Sequence, residues 1–260
     1  MRRASLWLAA AWSASLVLFT PVILAADKVP AYITAAVNDP ARPQADTQRD
    51  AKRQPAATLA FAGIKPGQKV AELMAGGGYF TRLLSKAVGP GGHVYAFAPS
   101  RRPNAPEGSP DPAAPLNAIA QDPGYSNVTV LPMAFSGDTL GAPEPVDVVW
   151  TSLNYHDFHN IPPGDISAFN KRVFDALKPG GIFIVIDHAA TVGDGTNDTR
   201  TLHRMDPEAA KKELIAAGFK LVGSSDVLRN PNDPHTAPVF DASIRGNTDQ
   251  FFLKLVKPAK

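Results

Sequence analysis

A short polar run, Asn154-Tyr155-His156-Asp157, follows an apolar segment and carries side chains suited to acid–base chemistry. An imidazole or a carboxylate can remove a proton from a bound molecule, and an amide can hold a polar ligand by hydrogen bonds. The alternative is structural: Asp157 caps a following helix and His156 is simply exposed. The residue types alone leave both interpretations open.

A glycine turn, Gly76-Gly77-Gly78, stands between a short apolar strand and the start of a helix. Because glycine has no Cβ, the backbone at Gly76 and Gly78 can pass close under a ligand. A strand–glycine–helix turn of this kind binds nucleotide-like cofactors at the carboxyl edge of a parallel sheet. Glu72 ends the strand just before the turn. A tight turn without a ligand is the alternative.

The rest of the chain predicts alternating strands and helices, punctuated by glycine and proline. The strands predicted after the glycine turn are 93–98, 128–133, 146–152, 182–186, 219–227 and 251–256. The predicted helices are 47–62 (bent by Pro55), 79–88, 114–120, 168–177 and 207–217. This alternation implies an α/β fold with a doubly wound, mostly parallel sheet and helices on both faces.

Most of the histidines fall in loops that follow predicted strands and therefore share one edge of the sheet. They are His156, His159, His188, His203 and His235. Imidazole and carboxylate groups also ligate metals. However, the spacing of His156, His159, Asp187 and His188 matches no metal-binding signature, so we predict no metal site.

The order and spacing of several motifs resemble class I S-adenosylmethionine-dependent methyltransferases, in particular an exported subgroup of predicted methyltransferases. The matching motifs are Val70-Ala71-Glu72, Gly76-Gly77-Gly78, Val94-Tyr95-Ala96, Val146-Asp147-Val148-Val149, Asn154-Tyr155-His156-Asp157 and Leu177-Lys178-Pro179-Gly180-Gly181. The resemblance spans residues 46–257. It implies a Rossmann-like methyltransferase fold of seven strands, with the seventh antiparallel between the fifth and the sixth.

The resemblance also implies a cofactor and a set of site residues. S-adenosylmethionine would be bound by Glu72, Met74, Ala75, Gly76, Gly78, Tyr79 and Asn154. The segment 154–157 would line the pocket near the methyl donor, where His156 or Asp157 would deprotonate a small-molecule acceptor. Alignment of donor and acceptor for in-line displacement would supply the rest of the catalysis.

Two positions depart from the family pattern. Met74 stands where the family usually has glycine, and Ala98 stands where the second strand usually ends in an acid that binds the ribose hydroxyls. Loss of that charged acceptor would weaken ribose binding by roughly 1.5–3 kcal/mol. It supports an alternative function, a periplasmic binding protein that keeps the methyltransferase fold but has lost catalysis.

The amino terminus predicts export. Met1-Arg2-Arg3 and the apolar stretch that ends at Ala26 are typical of a secretory signal peptide, residues 1–26. We therefore expect a periplasmic protein, with an uncleaved membrane anchor as the alternative. Residues 27–45 predict a linker or arm, and residues 46–260 the methyltransferase-like domain.

Composition excludes several other classes of function. Two of the 26 basic residues lie in the signal peptide, and the remainder equals the 24 acidic residues in number. A neutral chain lacks the charge of a nucleic-acid binder, so we expect no nucleic-acid partner, and no stable membrane insertion after cleavage. With no cysteine, the chain has neither disulfides nor thiol catalysis. Serine-hydrolase and dinucleotide-binding motifs are also absent from the sequence.

Two further segments have surface interpretations. The pair Lys52-Arg53 is interpreted as a solvated basic cluster. The long connection 230–249 predicts either a flap over the cleft, with His235 or Arg245 reaching inward, or an ordinary surface loop.

Overall fold

The computed structural model describes residues 29–101 and 105–259, and a seven-stranded sheet forms the centre of this part of the chain. The strands are β1 (Lys69–Leu73), β2 (His93–Pro99), β3 (Val128–Met133), β4 (Val146–Ser152), β5 (Leu177–His188), β6 (Lys220–Ser224) and β7 (Gln250–Val256). They lie in the order β3-β2-β1-β4-β5-β7-β6, and β7 alone runs antiparallel to its neighbours. The predicted doubly wound sheet, with its antiparallel strand between the fifth and sixth, is confirmed.

Helices cover both faces of this sheet. They are α1 (Ala31–Val37), α2 (Gln44–Thr47), α3 (Asp50–Arg53), α4 (Pro55–Ala62), α5 (Tyr79–Val88), α6 (Ala114–Gln121), α7 (Ile166–Ala176) and α8 (Pro207–Ala216). On one face Phe80 of α5 packs against Trp150, with ring centroids 4.8 Å apart. On the other face Val173 and Leu214 pack into a cluster with Phe183. None of these helices is long and apolar enough to cross a membrane.

The amino-terminal part of the described chain is more ordered than its composition predicts. The predicted linker or arm contains α1, whose Ile33 is fully buried in the core beside α5, so this segment is a packed arm and not a free linker. The single helix predicted for 47–62 is interrupted at Gln54, which has φ +43°. Because Pro55 disfavours right-handed helical backbone in the residue before it, α3 and α4 form separate helices. The predicted signal peptide lies outside the described residues.

Strand β5 extends further than predicted, and this extension shapes the site. Its last residues, Asp187 and His188, pair in register with Phe251 and Gln250 of β7. The ladder therefore continues past the apolar stretch 182–186 and holds Asp187 within the sheet rather than in a loop. Strand β6, by contrast, ends at Ser224, three residues before its predicted end.

Candidate functional site

A cavity of about 200 Å³ opens at the carboxyl ends of β1 and β4. The register of these strands places Leu73 beside Thr151, so the loops that follow the two strands face each other. The cavity is lined by the predicted donor-binding residues Glu72, Met74, Ala75, Gly76, Tyr79 and Asn154, together with Arg49, Arg53, Leu73, Gly77, Phe80, Ser152 and Leu153. All but one of the predicted donor-binding residues therefore meet at this edge.

The exception is Gly78, which starts α5 and is not part of the cavity wall. It has φ +79°, and a Cβ added there would stand 2.1 Å from Cδ1 of Ile119 on α6. Gly77 differs, because a Cβ there would meet nothing within 4 Å. Glycine at position 78 thus suits the left-handed backbone and the close approach of α6, and its role as a cofactor contact stays a prediction.

Glu72 is the buried acid of the cavity, with 3 % of its surface exposed. Thr81 donates a hydrogen bond of 2.6 Å from Oγ1 to Oε2 of Glu72. Burial raises the pKa of Glu72 to about 8, although the Thr81 hydrogen bond and the charge of Arg53 oppose the shift. The carboxyl group of Glu72 is therefore largely protonated at neutral pH, and a cation that enters the cavity would lower its pKa and favour the ionised form.

Arg53 is the functional candidate that the sequence analysis missed. It lies at the end of α3, and its Cζ is 4.7 Å from the centroid of the Tyr79 ring. Burial lowers its pKa, yet a guanidinium remains charged in proteins. The interpretation as solvated surface fits the exposed Lys52 but is wrong for Arg53. No local pattern separates the two residues, because Arg53 is placed by contacts with the rings of Tyr79 and Phe80, which lie far from it in the sequence.

Strained backbone borders the cavity on both strands. Met74 has φ +50° and Leu153 has φ +64°, a left-handed conformation that costs energy in residues with a Cβ. The amide of Asn154 donates hydrogen bonds to the carbonyl oxygens of Met74 (3.2 Å) and Ser152 (2.6 Å). Met74 therefore adopts the backbone conformation that suits the glycine usually found at this position, and Asn154 ties the two loops together.

The segment after β4 places His156 in a buried position. Only 2 % of His156 is exposed, and its Nδ1 lies 2.9 Å from Oδ1 of Asp187. Asp187 also accepts a hydrogen bond of 2.6 Å from the backbone N–H of His156. The structural alternative is wrong for both predicted residues, because His156 is not exposed and the helix α7 is capped by Asp165 rather than by Asp157.

The charges of this buried pair reinforce each other. Burial alone would lower the pKa of His156, but the adjacent carboxylate of Asp187 outweighs burial and raises that pKa. Burial alone would likewise raise the pKa of Asp187, and His156 reverses the effect. Asp187 therefore stays ionised and orients the imidazole, leaving Nε2 of His156 as the reactive nitrogen.

His203 and Asp157 complete a cluster around that nitrogen. Nε2 of His156 lies 3.2 Å from Nδ1 of His203 and 3.4 Å from Oδ1 of Asp157. The third pair, Nδ1 of His203 and Oδ1 of Asp157, is 3.5 Å apart. The predicted common edge is thus real for His156 and His203, which are separated by 46 intervening residues and meet through the loop after β5.

The other loop histidines have separate partners. Nδ1 of His188 lies 2.6 Å from Oγ1 of Thr248, and burial lowers the pKa of His188 to about 4. Nε2 of His159 lies 3.3 Å from Oε2 of Glu213. These two histidines serve the surrounding structure rather than the cluster.

The long connection 230–249 packs beside the cluster, but not through the predicted side chains. His235 is bound to Asp249, with Nε2 and Oδ2 3.0 Å apart, and Arg245 is exposed. The ring of Phe240 instead packs on His203, with centroids 4.8 Å apart. The predicted flap therefore touches the site through an aromatic ring.

A second cavity, of about 230 Å³, lies at the ends of β2 and β3 and includes Ala98. Asp111 and Asn117 also line it, and each offers oxygen atoms beside the position where the family acid is missing. Oδ1 of Asp111 accepts a hydrogen bond from the backbone of Ala113, which leaves Oδ2 available.

Comparison with known proteins gives a fold but no close relative. No protein-family model matches the sequence, and no curated protein sequence matches it. The crystal structure of the cyclase SpnF superposes with a TM-score of 0.58 at 16 % identity, over 83 % of this chain and 82 % of that chain. A putative methyltransferase from Bacillus halodurans superposes with a TM-score of 0.54 at 18 % identity, over 78 % of this chain and 98 % of that chain. The glycopeptide N-methyltransferase MtfA, complexed with S-adenosylmethionine, superposes with a TM-score of 0.52 at 16 % identity, over 77 % of this chain and 86 % of that chain. The chain has the Rossmann-like fold of the S-adenosylmethionine-dependent methyltransferases.

Proposed function

We propose that the protein is an exported, S-adenosylmethionine-dependent methyltransferase that acts on a small molecule. The observation that carries this proposal is the cavity at the glycine turn, which places the carboxyl group of Glu72 and the guanidinium of Arg53 at the ends of β1 and β4. The fold and the position of the cavity agree with the rule that ligands bind at the carboxyl edge of such sheets.

The amino-acid end of the donor matches this pair of charges. Its α-ammonium group would face Glu72, and its α-carboxylate would face Arg53, a residue type that binds carboxylates through two hydrogen bonds. The open backbone at Gly76 and Gly77 leaves room for the chain that carries the sulfonium. The cavity thus offers a guanidinium for the carboxylate of an amino-acid zwitterion, and a carboxyl group whose pKa the charge of the ammonium would lower.

The ribose end of the donor would lie toward Ala98. There Asp111 and Asn117 supply the acceptors that the strand itself lacks. The missing acid was the sequence argument for a binding protein without catalysis. A carboxylate and an amide beside Ala98 would compensate for the missing acid and so favour the enzyme over the binding protein.

The acceptor would lose its proton to the cluster after β4. His156, oriented by Asp187, is buried at this edge, and its Nε2 lies 3.4 Å from the partly exposed Asp157. A positioned imidazole of this kind contributes roughly 10²–10⁴-fold to a proton-transfer step. Asn154, two residues before His156, lines the donor cavity and connects the two parts of the site.

Calorimetric titration of the protein with S-adenosylmethionine tests donor binding. We expect Arg53→Ala to weaken the affinity by roughly 10–100-fold, the worth of a hydrogen bond to a charged group. Lys52→Ala is the matched control, because this neighbour is exposed and absent from the cavity wall. No heat of binding with the folded wild-type protein would overturn the proposal.

Transfer of a labelled methyl group from the donor to a mixture of small molecules tests the chemistry. We expect His156→Asn to reduce transfer by roughly 10²–10⁴-fold while the donor affinity stays close to wild type, because a base acts on the acceptor. Asp157→Asn separates the two candidate bases. Normal transfer by the His156 variant would remove that residue from the mechanism.

Export is tested by mass spectrometry of the protein from its native host. The apolar amino terminus and its small-residue end predict a mature chain that begins at Ala26 or Asp27. A membrane-bound chain that retains its amino terminus would indicate an uncleaved anchor. An intact Met1 in a soluble cytosolic fraction would contradict export.

A further inference from the structure

We propose that His156, Asp157 and His203 form a binding site for a divalent transition-metal ion of the zinc class. Each residue contributes one ligand atom, Nε2 of His156, a carboxylate oxygen of Asp157 and Nδ1 of His203. Two imidazoles and a carboxylate are a donor set that such ions prefer. This site would replace the sequence-based prediction of no metal, which was based on the spacing of residues that do not include His203.

The spacing of the three atoms fits a single ion. They lie 3.2, 3.4 and 3.5 Å apart in pairs. Ligands about 2.0–2.1 Å from zinc at tetrahedral angles are separated from each other by about 3.3 Å. The cluster therefore already has the shape of one face of a tetrahedron, and no side chain has to move far to close on an ion.

Asp187 prepares His156 for the role of ligand. Its carboxylate accepts from Nδ1 of His156, which fixes the proton on that nitrogen and turns the lone pair of Nε2 toward Asp157 and His203. Asp187 is itself held by the backbone N–H groups of His156 and His188. A carboxylate behind a ligating histidine is a recurrent feature of metal sites, because it sets the tautomer and orientation of the ring.

When His156 is neutral, the centre of the cluster holds more hydrogen-bond acceptors than donors. The carboxylate oxygen of Asp157 and the lone pair of Nε2 both act as acceptors. A single proton on Nδ1 of His203 can satisfy one of them well, and its distance to Asp157 is 3.5 Å, at the limit of a hydrogen bond. A bound cation would satisfy all three atoms at once.

His203 is positioned by a rigid support rather than by a loose loop. It has φ +55°, a left-handed conformation, and the next residue, Arg204, forms a fully buried ion pair with Asp233 at 2.8 Å. Met205 then donates a backbone hydrogen bond to the carbonyl of His188 at the end of β5. Strained backbone persists only where the surrounding contacts hold it in place. The contacts of Arg204 and Met205 therefore keep His203 directed toward His156.

The site is also open enough to exchange an ion. The side chains of His203 and Asp157 are 32 % and 27 % exposed, whereas those of His156 and Asp187 are buried. An ion would thus have three ligands from the protein and a side open to solvent. Three protein ligands and an open position are typical of catalytic rather than structural zinc sites.

Metal titration of the untagged full-length protein, first stripped with a chelator, tests the proposal. We expect one Zn²⁺ to bind per chain by calorimetry, and Co²⁺ to give the intense visible absorption of a tetrahedral site. His203→Ala should abolish this absorption, and Asp187→Asn should weaken Zn²⁺ binding by roughly 10–100-fold. His93→Ala is the control, because His93 enters β2 at the opposite edge and lies 2.9 Å from Thr129.

Circular dichroism of each variant establishes that it is folded. Wild-type protein that binds neither ion, or a folded His203→Ala variant that binds both ions as wild type does, would overturn the proposed site. A weak, octahedral Co²⁺ spectrum that is lost in His203→Ala would support the three ligands but correct the preferred geometry.

The metal site goes beyond the proposed methyltransferase activity and is tested without donor or acceptor. If the metal titration fails and donor binding succeeds, His156 remains the free base of the proposed reaction. If the metal binds and the donor does not, the methyltransferase proposal fails and the metal site stands. If both bind, removal of the metal should reduce methyl transfer while leaving the donor affinity unchanged.

Discussion

The side-chain amide of Asn154 donates a hydrogen bond to the carbonyl oxygen of Met74, 3.2 Å away, and so joins the ends of β4 and β1. The same amide donates to the carbonyl of Ser152 at 2.6 Å. Met74 and Leu153, the residues at the two strand ends, both have left-handed backbone. One side chain therefore stabilises two strained loops that form opposite walls of the donor cavity.

The first prediction concerns this amide. Asn154→Ala removes two hydrogen bonds, and we expect it to lower the free energy of unfolding by about 1–3 kcal/mol. Asn154→Asp keeps the size of the side chain but turns a carboxylate toward two carbonyl oxygens, so its loss should be larger. Urea denaturation measures both. An aspartate variant as stable as the wild type would show that the tether is unimportant.

The second prediction separates two adjacent glycines. Gly78→Ala forces a Cβ into left-handed backbone and requires the terminal methyl group of Ile119 to move aside, so we expect a loss of about 1–2 kcal/mol in the free energy of unfolding. Gly77→Ala meets nothing within 4 Å and has no left-handed φ, so its stability should stay within about 0.5 kcal/mol of wild type. Equal stability of the two variants in thermal and urea unfolding would contradict the packing role of Gly78.

The third prediction is a pH dependence of stability that arises from Glu72. Burial raises the pKa of Glu72 in the folded protein from 4.5 to about 8, so between these values the folded state holds a proton that the unfolded state has released. The stabilisation linked to this proton is fully present below pH 4.5 and is lost as the pH rises through 8. By linkage the loss amounts to at most about 5 kcal/mol.

Glu72→Gln supplies the control for that experiment, because glutamine keeps an acceptor for Thr81 and does not ionise. We expect the difference in unfolding free energy between variant and wild type to grow from pH 5 to pH 8 in favour of the variant. Arg53, the charge that faces Glu72, stays ionised throughout and does not contribute to the slope. Parallel pH profiles for the two proteins would show that Glu72 ionises normally.

The sequence predicts the sheet well because its signals are local. The strands 128–133 and 146–152 and the helix 79–88 have the predicted bounds, since apolar stretches end there at glycine, proline or charged residues. The helix α1 was not predicted, because its residues have no strong period and its stabilising contacts, such as the packing of Ile33 and the hydrogen bond from Tyr32 to the carbonyl of Ile64, are made with distant parts of the chain.

The site could be predicted only to the level of a shared edge. Strand order brings the loops after β1, β4 and β5 together, and this follows from the fold alone. Which side chains touch depends on details that no local pattern carries, such as the contact of Arg53 with the ring of Tyr79. The contact between His156 and Asp187 needed the extension of β5, and the contact with His203 needed the loop that Arg204 anchors.

The last prediction concerns that anchor, the ion pair between Arg204 and Asp233. Both side chains are fully buried, and Arg204 donates to the two carboxylate oxygens at 2.8 and 3.0 Å. Asp233→Asn leaves a buried guanidinium without its counter-charge, which typically costs 3–5 kcal/mol. Asp226→Asn is the matched control, because Asp226 is exposed and its loss should change stability by less than about 0.5 kcal/mol.

The same substitution also tests how the cluster is built. Arg204 adjoins His203 and donates to the carbonyls of Ala189 and Ala237, so it fixes the loop after β5 against the sheet and the connection 230–249. If Asp233→Asn stays folded at low temperature, the loop should loosen and the Co²⁺ absorption assigned to His156, Asp157 and His203 should weaken. Unchanged stability and an unchanged spectrum in this variant would mean that His203 is positioned by its own short-range contacts, such as the ring of Phe240, rather than by the buried ion pair.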